Sequence, residues 1–273
     1  MMFEILLEED TCFGDITSEL TIPDDLRSQA KVIAKEKCVV AGMKYLSEKV
    51  AKFDLRIDVL KGDGENAEEG DIVALIEGNA RRLLLIERTF LNILGRMSGI
   101  ATATRRIVSK VHRINPKIRI AATRKTLLGY LDKLAVIIGG GDPHRWGLAD
   151  LVLIKDNHIA LVGLEEAIER AKKASFVRKV EVEVKNVEEA IRAANLDVDV
   201  IMLDNFELKK VLRVITLLKD KGLRDKVLVE ASGGINEDNV EEYAECGVDI
   251  ISMGFLTHSS KSIDFSMKNL AKH

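Results

Sequence analysis

The feature that most constrains the fold is a repeated alternation of short apolar strands and amphipathic helices in the second part of the chain. Strands are predicted at 118–122, 150–154, 179–184, 199–203, 227–231 and 248–253. Helices are predicted between them, around 163–174, 187–195, 207–220 and 236–246. Alternation of this kind is typical of a parallel sheet with helical crossovers. A barrel and an open doubly wound sheet both fit this pattern.

Polar residues follow each of these strands. They are Thr123-Arg124-Lys125, Lys155-Asp156-Asn157-His158, Lys185, Asp204-Asn205, Ser232-Gly233-Gly234 and Gly254. An open sheet concentrates its polar strand ends at one switch point, whereas a barrel gathers the ends of all its strands around one mouth. We therefore predict an α/β barrel with fewer than eight strands.

Residues before about 104 have a different pattern. Short alternating stretches at 31–42 and 55–60, and the glycine-rich segment 62–79, indicate a small sandwich. Segment 62–79 also resembles the hairpins of biotinyl and lipoyl carriers, but no lysine stands at its tip. Residues 81–113 predict a long helix, which Ser98-Gly99 is expected to bend or break.

The predicted domains are an N-terminal α/β domain at 1–103 and a barrel domain at 104–261. The tail 262–273 is expected to pack on the first domain. The formal net charge of −3 gives no reason to expect nucleic-acid or membrane binding. The acidic N-terminus is unlike a signal peptide, and no apolar run is long enough to span a membrane.

The cysteines Cys12, Cys38 and Cys246 are far apart in sequence and are interpreted as small buried apolar residues in a reducing compartment. We therefore expect a soluble, cytoplasmic protein. His112 and His273 are interpreted as exposed residues without a role in a site.

Five potential cations cluster near strand ends: Arg124, Lys125, His144, Arg145 and Lys155. Such a set indicates a ligand with several negative charges, and the alternative is pairing with surface acids. The segment 231–239 predicts a phosphate site, because a Gly-Gly turn is expected there just before a helix that opens at Ile235 or Asn236. Residues 253–262 could supply a second such turn.

Acidic residues occupy the neighbouring strands. Glu181 and Glu183 lie on one face of their strand, and burying them requires a cation, a metal or ligand hydroxyls. With Asp204 they offer oxygen ligands suited to Mg²⁺ held jointly with substrate phosphates. Structural pairing of Glu183 with Lys155 or Lys125 is the alternative.

Seven segments together resemble the quinolinate phosphoribosyltransferases, which are type II phosphoribosyltransferases. The segments are ERTFLNILGRMSGIAT (87–102), TRKT (123–126), GGG-x-x-HR-x-GL (139–148), LIKDNHI (153–159), EVEV (181–184), MLDN (202–205) and SGGI (232–235). The resemblance runs from GDIT (14–17) to the C-terminus. It implies an N-terminal α/β open sandwich and an incomplete parallel α/β barrel of about seven strands. It also implies a homodimer, or a hexamer built from dimers.

The resemblance assigns roles to the residues already named. It implies that Arg124, His144, Arg145 and Lys155 hold the two carboxylates of quinolinate, with Arg88 contributed in trans by a partner subunit. Lys125, Glu183 and Asp204 would contact phosphoribosyl pyrophosphate, with Glu183 and Asp204 also binding its Mg²⁺. Ser232, Gly233, Gly234, Gly254 and His258 would line the phosphate positions. Lys125, Lys155, Glu183 and Asp204 are the catalytic candidates.

Two departures from the family pattern stand beside these motifs. Leu127-Leu128-Gly129 follows TRKT, where the family usually has Pro-Gly, and Asp142-Pro143 precedes His144, where the family usually has Asn. Because proline fixes φ and lacks an N–H, the His144 loop is expected to be set differently. Trp146 is expected to pack beneath that loop, and Asn157 and His158 are expected to hold the strand end.

The implied activity is transfer of the phosphoribosyl group to quinolinate with decarboxylation, which gives nicotinate mononucleotide, pyrophosphate and CO₂ in de novo NAD biosynthesis. Two alternatives are a related transferase acting on nicotinate or another ring acid, and a non-catalytic barrel that binds a phosphorylated metabolite.

Overall fold

The computed structural model describes residues 2–270. Within them it has eleven α-helices: α1 (Met2–Thr11), α2 (Ile16–Thr21), α3 (Met43–Val50), α4 (Ala80–Ile114), α5 (Tyr130–Ile138), α6 (Asp156–Val162), α7 (Leu164–Ala171), α8 (Val187–Asn195), α9 (Leu208–Asp220), α10 (Val240–Glu245) and α11 (Phe255–His258). The same residues form twelve strands: β1 (Arg27–Ala34), β2 (Cys38–Val39), β3 (Arg56–Val59), β4 (Asn66–Ala67), β5 (Ile72–Asn79), β6 (Arg119–Ala122), β7 (Val152–Ile154), β8 (Val180–Val184), β9 (Val200–Asp204), β10 (Leu228–Ser232), β11 (Ile250–Met253) and β12 (Phe265–Leu270).

The contacts group the chain into two compact units. One unit comprises Met1–Arg105, Leu128–Gly140 and Ser260–His273, and the other comprises Arg106–Leu127 and Gly141–Ser259. The boundary expected at 103/104 therefore falls within α4, close to Arg105. The grouping of α5 with the first unit had no signal in the sequence. Residues 271–273 of the expected tail, including His273, lie outside the described residues.

The first unit is built on an antiparallel sheet with the strand order β12-β1-β5-β3. On β1 every second side chain is buried, at Ala30, Val32 and Ala34, as expected for a strand with one face on a core. The C-terminal strand β12 runs along the other side of β1, where Val32 pairs with Met267. The predicted N-terminal α/β domain is confirmed.

Helix α4 is one continuous helix of 35 residues, so Ser98-Gly99 does not break it, and the alternative that these residues bend it stays a prediction. Its glycines allow another part of the chain to approach. A Cβ at Gly95 would lie 2.5 Å from the carbonyl oxygen of Ile263, and a Cβ at Gly99 would overlap the carbonyl oxygen of Lys261. The Gly95 carbonyl also accepts the Ile263 N–H at 3.0 Å. These glycines therefore serve packing within the first unit.

The second unit contains a parallel sheet of six strands with the order β6-β11-β10-β9-β8-β7. The first of these strands in the chain, β6, pairs with the last, β11, which is the neighbour relation of a barrel. Beyond β6 a single parallel bridge joins Ala121 to Asp142. The α/β barrel is confirmed, but within the described residues the expected seventh strand is reduced to this bridge.

The crossover helices α7, α8 and α9 match the predicted positions. Helix α10, however, begins at Val240, so the prediction that a helix opens at Ile235 or Asn236 is wrong. Side-chain hydrogen bonds hold residues 236–239 in turns instead, for example from the Asn236 N–H to Asn239 Oδ1 at 2.9 Å. The Gly-Gly turn after β10 is therefore not followed directly by a helix.

Cys38 and Cys246 are buried, but Cys12 is exposed, so the expectation of three buried cysteines is wrong for Cys12. None of the helices in residues 2–270 has the length and apolar character that a membrane span requires.

Candidate functional site

The strand register of the second unit brings polar side chains to one face of its sheet. Glu183 on β8 pairs with Met202 on β9, and Met202 pairs with Glu230 on β10. Paired residues share a face, as do residues two apart along a strand. The polar residues on this face of β8 to β11 are Glu181, Glu183, Asp204, Glu230, Ser232 and Ser252. The sequence singled out three of these carboxylates, and the register adds Glu230.

Lys155 and Glu183 form an ion pair at this face. Lys155 follows β7 and caps α6, and its Nζ donates to Glu183 Oε2. The Glu183 side chain is 9 % exposed, so the lysine compensates for burial of the carboxylate. The pairing of Glu183 with Lys155, which the sequence left as one of two interpretations, is thus present.

The end of β7 is held by its own framework, as the sequence predicted. His158 Nδ1 accepts the Lys155 N–H at 2.9 Å, and Asp156 accepts a hydrogen bond from the Asn157 N–H at 2.7 Å. Asp156 also accepts from Lys185 Nζ at 2.9 Å. Residues 156–158 form the first turn of α6, a helix that the sequence did not predict.

His144 lies between two buried glutamates. Its Nε2 is 3.3 Å from Glu181 Oε2 and 3.2 Å from Glu230 Oε2. Glu181 is 1 % exposed and Glu230 is 0 % exposed, and Oε1 of each has no hydrogen-bond partner. One ligand atom from each of the three residues falls within 4.8 Å of the others, so the group could hold a metal ion. We call these residues the His144 cluster.

The pKa values within the cluster are coupled. Burial lowers the pKa of His144, but hydrogen bonds to Glu181 and Glu230 outweigh it and raise the pKa to about 10. Burial raises the pKa of Glu181, the hydrogen bond from His144 opposes this, and the charge of Glu230 adds to it. The cluster therefore shares its protons. Because Nδ1 accepts the Arg145 N–H at 2.8 Å, Nδ1 carries no proton, and the extra proton that the cluster retains at neutral pH is shared between Nε2 and Glu181, whose pKa is raised.

This coupling predicts a pH-dependent stability. The folded-state pKa of His144, about 10, lies above its ordinary value of 6.5. Its contribution to the free energy of unfolding is therefore complete below pH 6.5 and is lost as the pH rises through 10. We expect the stability advantage of the wild type over His144→Gln to shrink by roughly 1–4 kcal/mol between pH 6.5 and 10. Urea unfolding at both pH values measures it, and a constant difference would contradict it.

Two guanidinium groups lie near each other beside the cluster. Arg145 is 9 % exposed, and Arg124, which follows β6, is exposed. Burial lowers the pKa of Arg145, the charge of Arg124 lowers it further, and the charge of Glu181 opposes both. Two neighbouring like charges are unfavourable by themselves and favour the binding of an anion.

Lys125 and His258 meet over Gly254, at the ends of β6 and β11. A Cβ at Gly254 would lie 2.8 Å from His258 Nε2 and 3.4 Å from Lys125 Cδ. Thr257 Oγ1 donates to the Lys125 carbonyl at 2.7 Å, which fixes the backbone of the TRKT segment. The glycine therefore leaves space that both basic side chains share.

The turn after β10 lies against the end of β9. The Ser232 carbonyl accepts the Asn205 N–H at 2.9 Å, and Ser232 Oγ accepts from Ser252 Oγ at 2.8 Å. Gly233 has φ of 86° and Gly234 has φ of 64°, a region that favours glycine. At Gly233 a Cβ would also lie only 2.9 Å from the Asn205 nitrogen.

Asp204 ends β9 on the same face, and its Oδ2 accepts from Asn205 Nδ2 at 2.8 Å. Arg88 belongs to the first unit, where it is exposed on α4, so it is not part of the geometry described for the second unit. Trp146 is 41 % exposed, which is more than expected for a side chain that packs beneath the His144 loop.

Glu230 is the residue of this face that sequence reasoning missed. It stands alone in the apolar strand VLVEA (227–231), and a lone acid inside a buried parallel strand is a signal in itself, since such a carboxylate needs a partner. The partner, His144, lies 86 residues away in sequence, so only the fold reveals it.

Two family models match the chain in tandem. Residues 15–98 match the N-terminal domain of quinolinate phosphoribosyl transferase, and residues 100–268 match its C-terminal domain. The chain belongs to the quinolinate phosphoribosyl transferase family. The two models account for both units and for nearly all described residues.

Individual relatives agree with this family. The chain is 49 % identical to a probable nicotinate-nucleotide pyrophosphorylase (carboxylating) of Methanocaldococcus jannaschii, over 96 % of this chain and 93 % of the relative. It is 37 % identical to the human nicotinate-nucleotide pyrophosphorylase (carboxylating), over 90 % and 83 % respectively. The solved nicotinate-nucleotide pyrophosphorylase of Ehrlichia chaffeensis superposes with a TM-score of 0.90 at 33 % identity, covering 98 % of this chain and 97 % of that one.

The departure from the family pattern at Asp142-Pro143 has a structural role. Asp142 Oδ1 accepts the His144 N–H at 2.7 Å, which closes a tight turn around Pro143. His144 then adopts φ of 53°, which is rare for a residue with a Cβ. Asp142 therefore combines two functions, because it bridges to β6 and also fixes the loop that carries His144 and Arg145.

Proposed function

We propose that the chain transfers the phosphoribosyl group of phosphoribosyl pyrophosphate to quinolinate, with release of pyrophosphate and CO₂ and formation of nicotinate mononucleotide. This is the reaction expected from the sequence, and membership of the family supports it. The observation that carries the proposal is the pair Arg124 and Arg145, whose neighbouring positive charges fit a planar diacid. In a cell this step would serve de novo NAD biosynthesis.

The proposed quinolinate contacts are Arg124, His144, Arg145 and Lys155 of one subunit with Arg88 of another. Arginine binds a carboxylate through two parallel N–H···O bonds, so two arginines suit a ligand with two carboxylates. Lys155 shares its ammonium with Glu183, which fixes its position before the ligand arrives. A monoacid such as nicotinate would leave one of these basic groups without its anion.

The proposed phosphoribosyl pyrophosphate contacts lie at the ends of β6, β9, β10 and β11. Lys125, His258 and Gly254 are grouped there, as are Asp204 and the turn Ser232-Gly233-Gly234. Backbone N–H groups of a glycine turn can bind phosphate oxygens, and Lys125 adds positive charge. Because α10 begins at Val240, this phosphate site would depend on the glycine turn itself and not on a helix N-terminus.

Mg²⁺ is the proposed cofactor, and Glu183 and Asp204 would hold it. Both are oxygen donors on the same face of adjacent strands, which suits this ion. Two carboxylates are too few for a site made of protein ligands alone, but Mg²⁺ is usually bound by one or two carboxylates together with substrate phosphates. When bound, it would supply positive charge next to the leaving pyrophosphate.

The proposed mechanism depends on positioning and electrostatics. The quinolinate nitrogen attacks the anomeric carbon as the bond to pyrophosphate breaks, and Lys125 would stabilise the charge on the leaving group. Positive charge grows on the ribose ring, near the carboxylates of Glu183 and Asp204. The new N-ribosyl bond makes the pyridine ring cationic, so the electron pair left on the ring carbon when CO₂ departs is stabilised by the adjacent N⁺. A proton from solvent then adds at that carbon to give nicotinate mononucleotide. No proton is removed from the nucleophile, which makes orientation the main contribution of these residues.

Quinolinate labelled with ¹³C in its 2-carboxylate tests this function. Incubated with the protein, phosphoribosyl pyrophosphate and Mg²⁺, it should yield labelled CO₂ and nicotinate mononucleotide. Nicotinate in its place should give little product. Product from nicotinate alone would favour the related transferase, and binding of phosphoribosyl pyrophosphate without any product would favour a non-catalytic barrel.

We also propose a homodimer or a hexamer of dimers in which Arg88 acts in the site of a partner subunit. Arg88→Ala and Lys155→Ala should each abolish nearly all activity. Co-refolded mixtures of the two variants should recover up to about a quarter of wild-type activity, because a mixed pair contains one site with both residues intact. Mixing Lys155→Ala with Lys125→Ala is the matched control, since both of those residues lie in the second unit. No recovery in the first mixture would contradict the shared site.

The cytoplasmic location expected from the sequence is part of the proposal. It is supported by the free thiols of Cys12, Cys38 and Cys246, since secreted proteins more often contain disulfides.

A further inference from the structure

The His144 ring is held at both of its nitrogens. Nε2 faces Glu181 and Glu230 at 3.3 and 3.2 Å, and Nδ1 lies 2.8 Å from the backbone nitrogen of Arg145, which donates to it. An imidazole with a proton on Nε2 satisfies both contacts, because it donates through Nε2 and accepts through Nδ1. The ring thus connects two buried carboxylates on β8 and β10 to the backbone of the next residue.

The backbone around the ring needs this support. At His144 φ is 53°, a conformation that costs about 1 kcal/mol for a residue with a Cβ. Pro143 has no N–H to contribute to the turn. The hydrogen bond from the His144 N–H to Asp142 Oδ1 and the acceptance of the Arg145 N–H by the ring therefore both help to hold the peptide before Arg145.

The two glutamates come from different strands, which makes the support rigid. Glu181 lies on β8 and Glu230 on β10, with β9 hydrogen-bonded between them. Both side chains are almost completely buried. They reach the same ring nitrogen, so a change in either strand position or in either carboxylate moves the ring. Arg145 is the next residue in the chain, and the charge of Glu181 also acts on its guanidinium.

We infer that Glu181 and Glu230 are positioning residues which, through the His144 ring, hold Arg145 in the orientation that binds the acid substrate. This inference rests on the proposed function. Neither glutamate needs to touch substrate. Their role is to fix the ring through Nε2, and the ring fixes the Arg145 backbone through Nδ1.

Steady-state kinetics of Glu230→Gln and Glu181→Gln test the inference. Both substitutions keep the shape and remove the charge that holds Nε2. Each should raise KM for quinolinate about 10- to 50-fold and leave KM for phosphoribosyl pyrophosphate within about twofold, as expected for a lost charge-assisted hydrogen bond. Glu188→Gln on α8, an exposed site in the same unit, is the matched control and should change neither constant.

A double-mutant cycle with His144→Ala separates positioning from a general structural effect. If the glutamates act through the ring, Glu230→Gln should change KM for quinolinate less than about twofold once the ring is absent. Equal effects of Glu230→Gln in both backgrounds would overturn the inference, as would an unchanged KM in the single variant. Thermal unfolding identifies a variant that does not fold, in which case Glu181→Gln carries the test.

Two further measurements separate this inference from the proposed function. Calorimetric titration with quinolinate needs no turnover, so a wild type that binds quinolinate but releases no CO₂ would contradict the function and still test the glutamates. If quinolinate does not bind either, the double-mutant cycle of Glu230→Gln and His144→Ala can be measured in free energies of unfolding. Additive effects of the two substitutions would then overturn the inference. One equivalent of tightly bound zinc, lost in Glu230→Gln, would also overturn it by showing that the cluster is a metal site.

Discussion

Replacing Arg145 with alanine is expected to weaken quinolinate binding by about 2–5 kcal/mol, which corresponds to roughly a 30- to 4,000-fold loss of affinity. Arg145 is 9 % exposed, so water has little access to its guanidinium and cannot take over its contacts with a carboxylate. Removing it leaves a substrate carboxylate desolvated and without its cation, and that penalty accounts for much of the loss. Titration calorimetry and KM for quinolinate both measure the change.

Two companion variants sharpen this prediction. Arg145→Lys retains the charge but not the two parallel N–H groups, so it should recover only part of the affinity. Arg192→Ala is the matched control, because Arg192 makes an exposed ion pair with Glu165 on helices of the same unit, and such pairs contribute about 0–1 kcal/mol. Wild-type affinity in Arg145→Ala would show that this residue does not bind the acid.

Gly99→Ala is expected to destabilise the protein by about 3 kcal/mol or more, since it forces an atom into a filled space. The new Cβ would overlap the carbonyl oxygen of Lys261 and lie 3.0 Å from the carbonyl carbon. Both are backbone atoms, so relief requires the segment to move away from α4. Alanine favours a helix over glycine by about 1 kcal/mol, but the overlap is the larger effect.

Gly62→Ala provides the comparison for this variant. A Cβ at Gly62 would meet only the carboxylate of Glu65, at 3.4 Å, and the end of that side chain can move. Urea unfolding should therefore show a large decrease for Gly99→Ala and a change below about 1 kcal/mol for Gly62→Ala. A Gly99→Ala protein as stable as the wild type would show that α4 and Lys261 do not pack this closely.

The sequence predicted the barrel well because its strands are buried on both faces and appear as short apolar runs. The runs at 179–184 and 199–203 lie within one residue of β8 and β9. The seventh strand could not be found in the sequence because Asp142 makes a single bridge, which is too short to appear as an apolar run. The start of α10 was predicted too early because the side chains of Asn236 and Asn239 hold turns, and these hydrogen bonds compete with helix formation.

The site was predicted as a set of residue types and strand ends, and the pairing of those residues was not. Alternation along a strand placed Glu181 and Glu183 on one face, but their different partners, His144 and Lys155, depend on strand order and register. The left-handed conformation of His144 depends on the Asp142 turn and on contacts from two distant strands. Such contacts have no local pattern, because they join residues far apart along the chain.

The pairing of β12 with β1 has a consequence for the order of folding. Every strand of the parallel sheet lies between residues 119 and 253, so its pairings can form without residues 265–270. The first sheet cannot be completed in this way, because β1 keeps an open edge until residues 265–270 pair with it. Open edges invite pairing with other chains. A partly folded chain in which β12 has not yet docked therefore exposes β1 to its neighbours in solution, and docking of β12 removes that exposed edge.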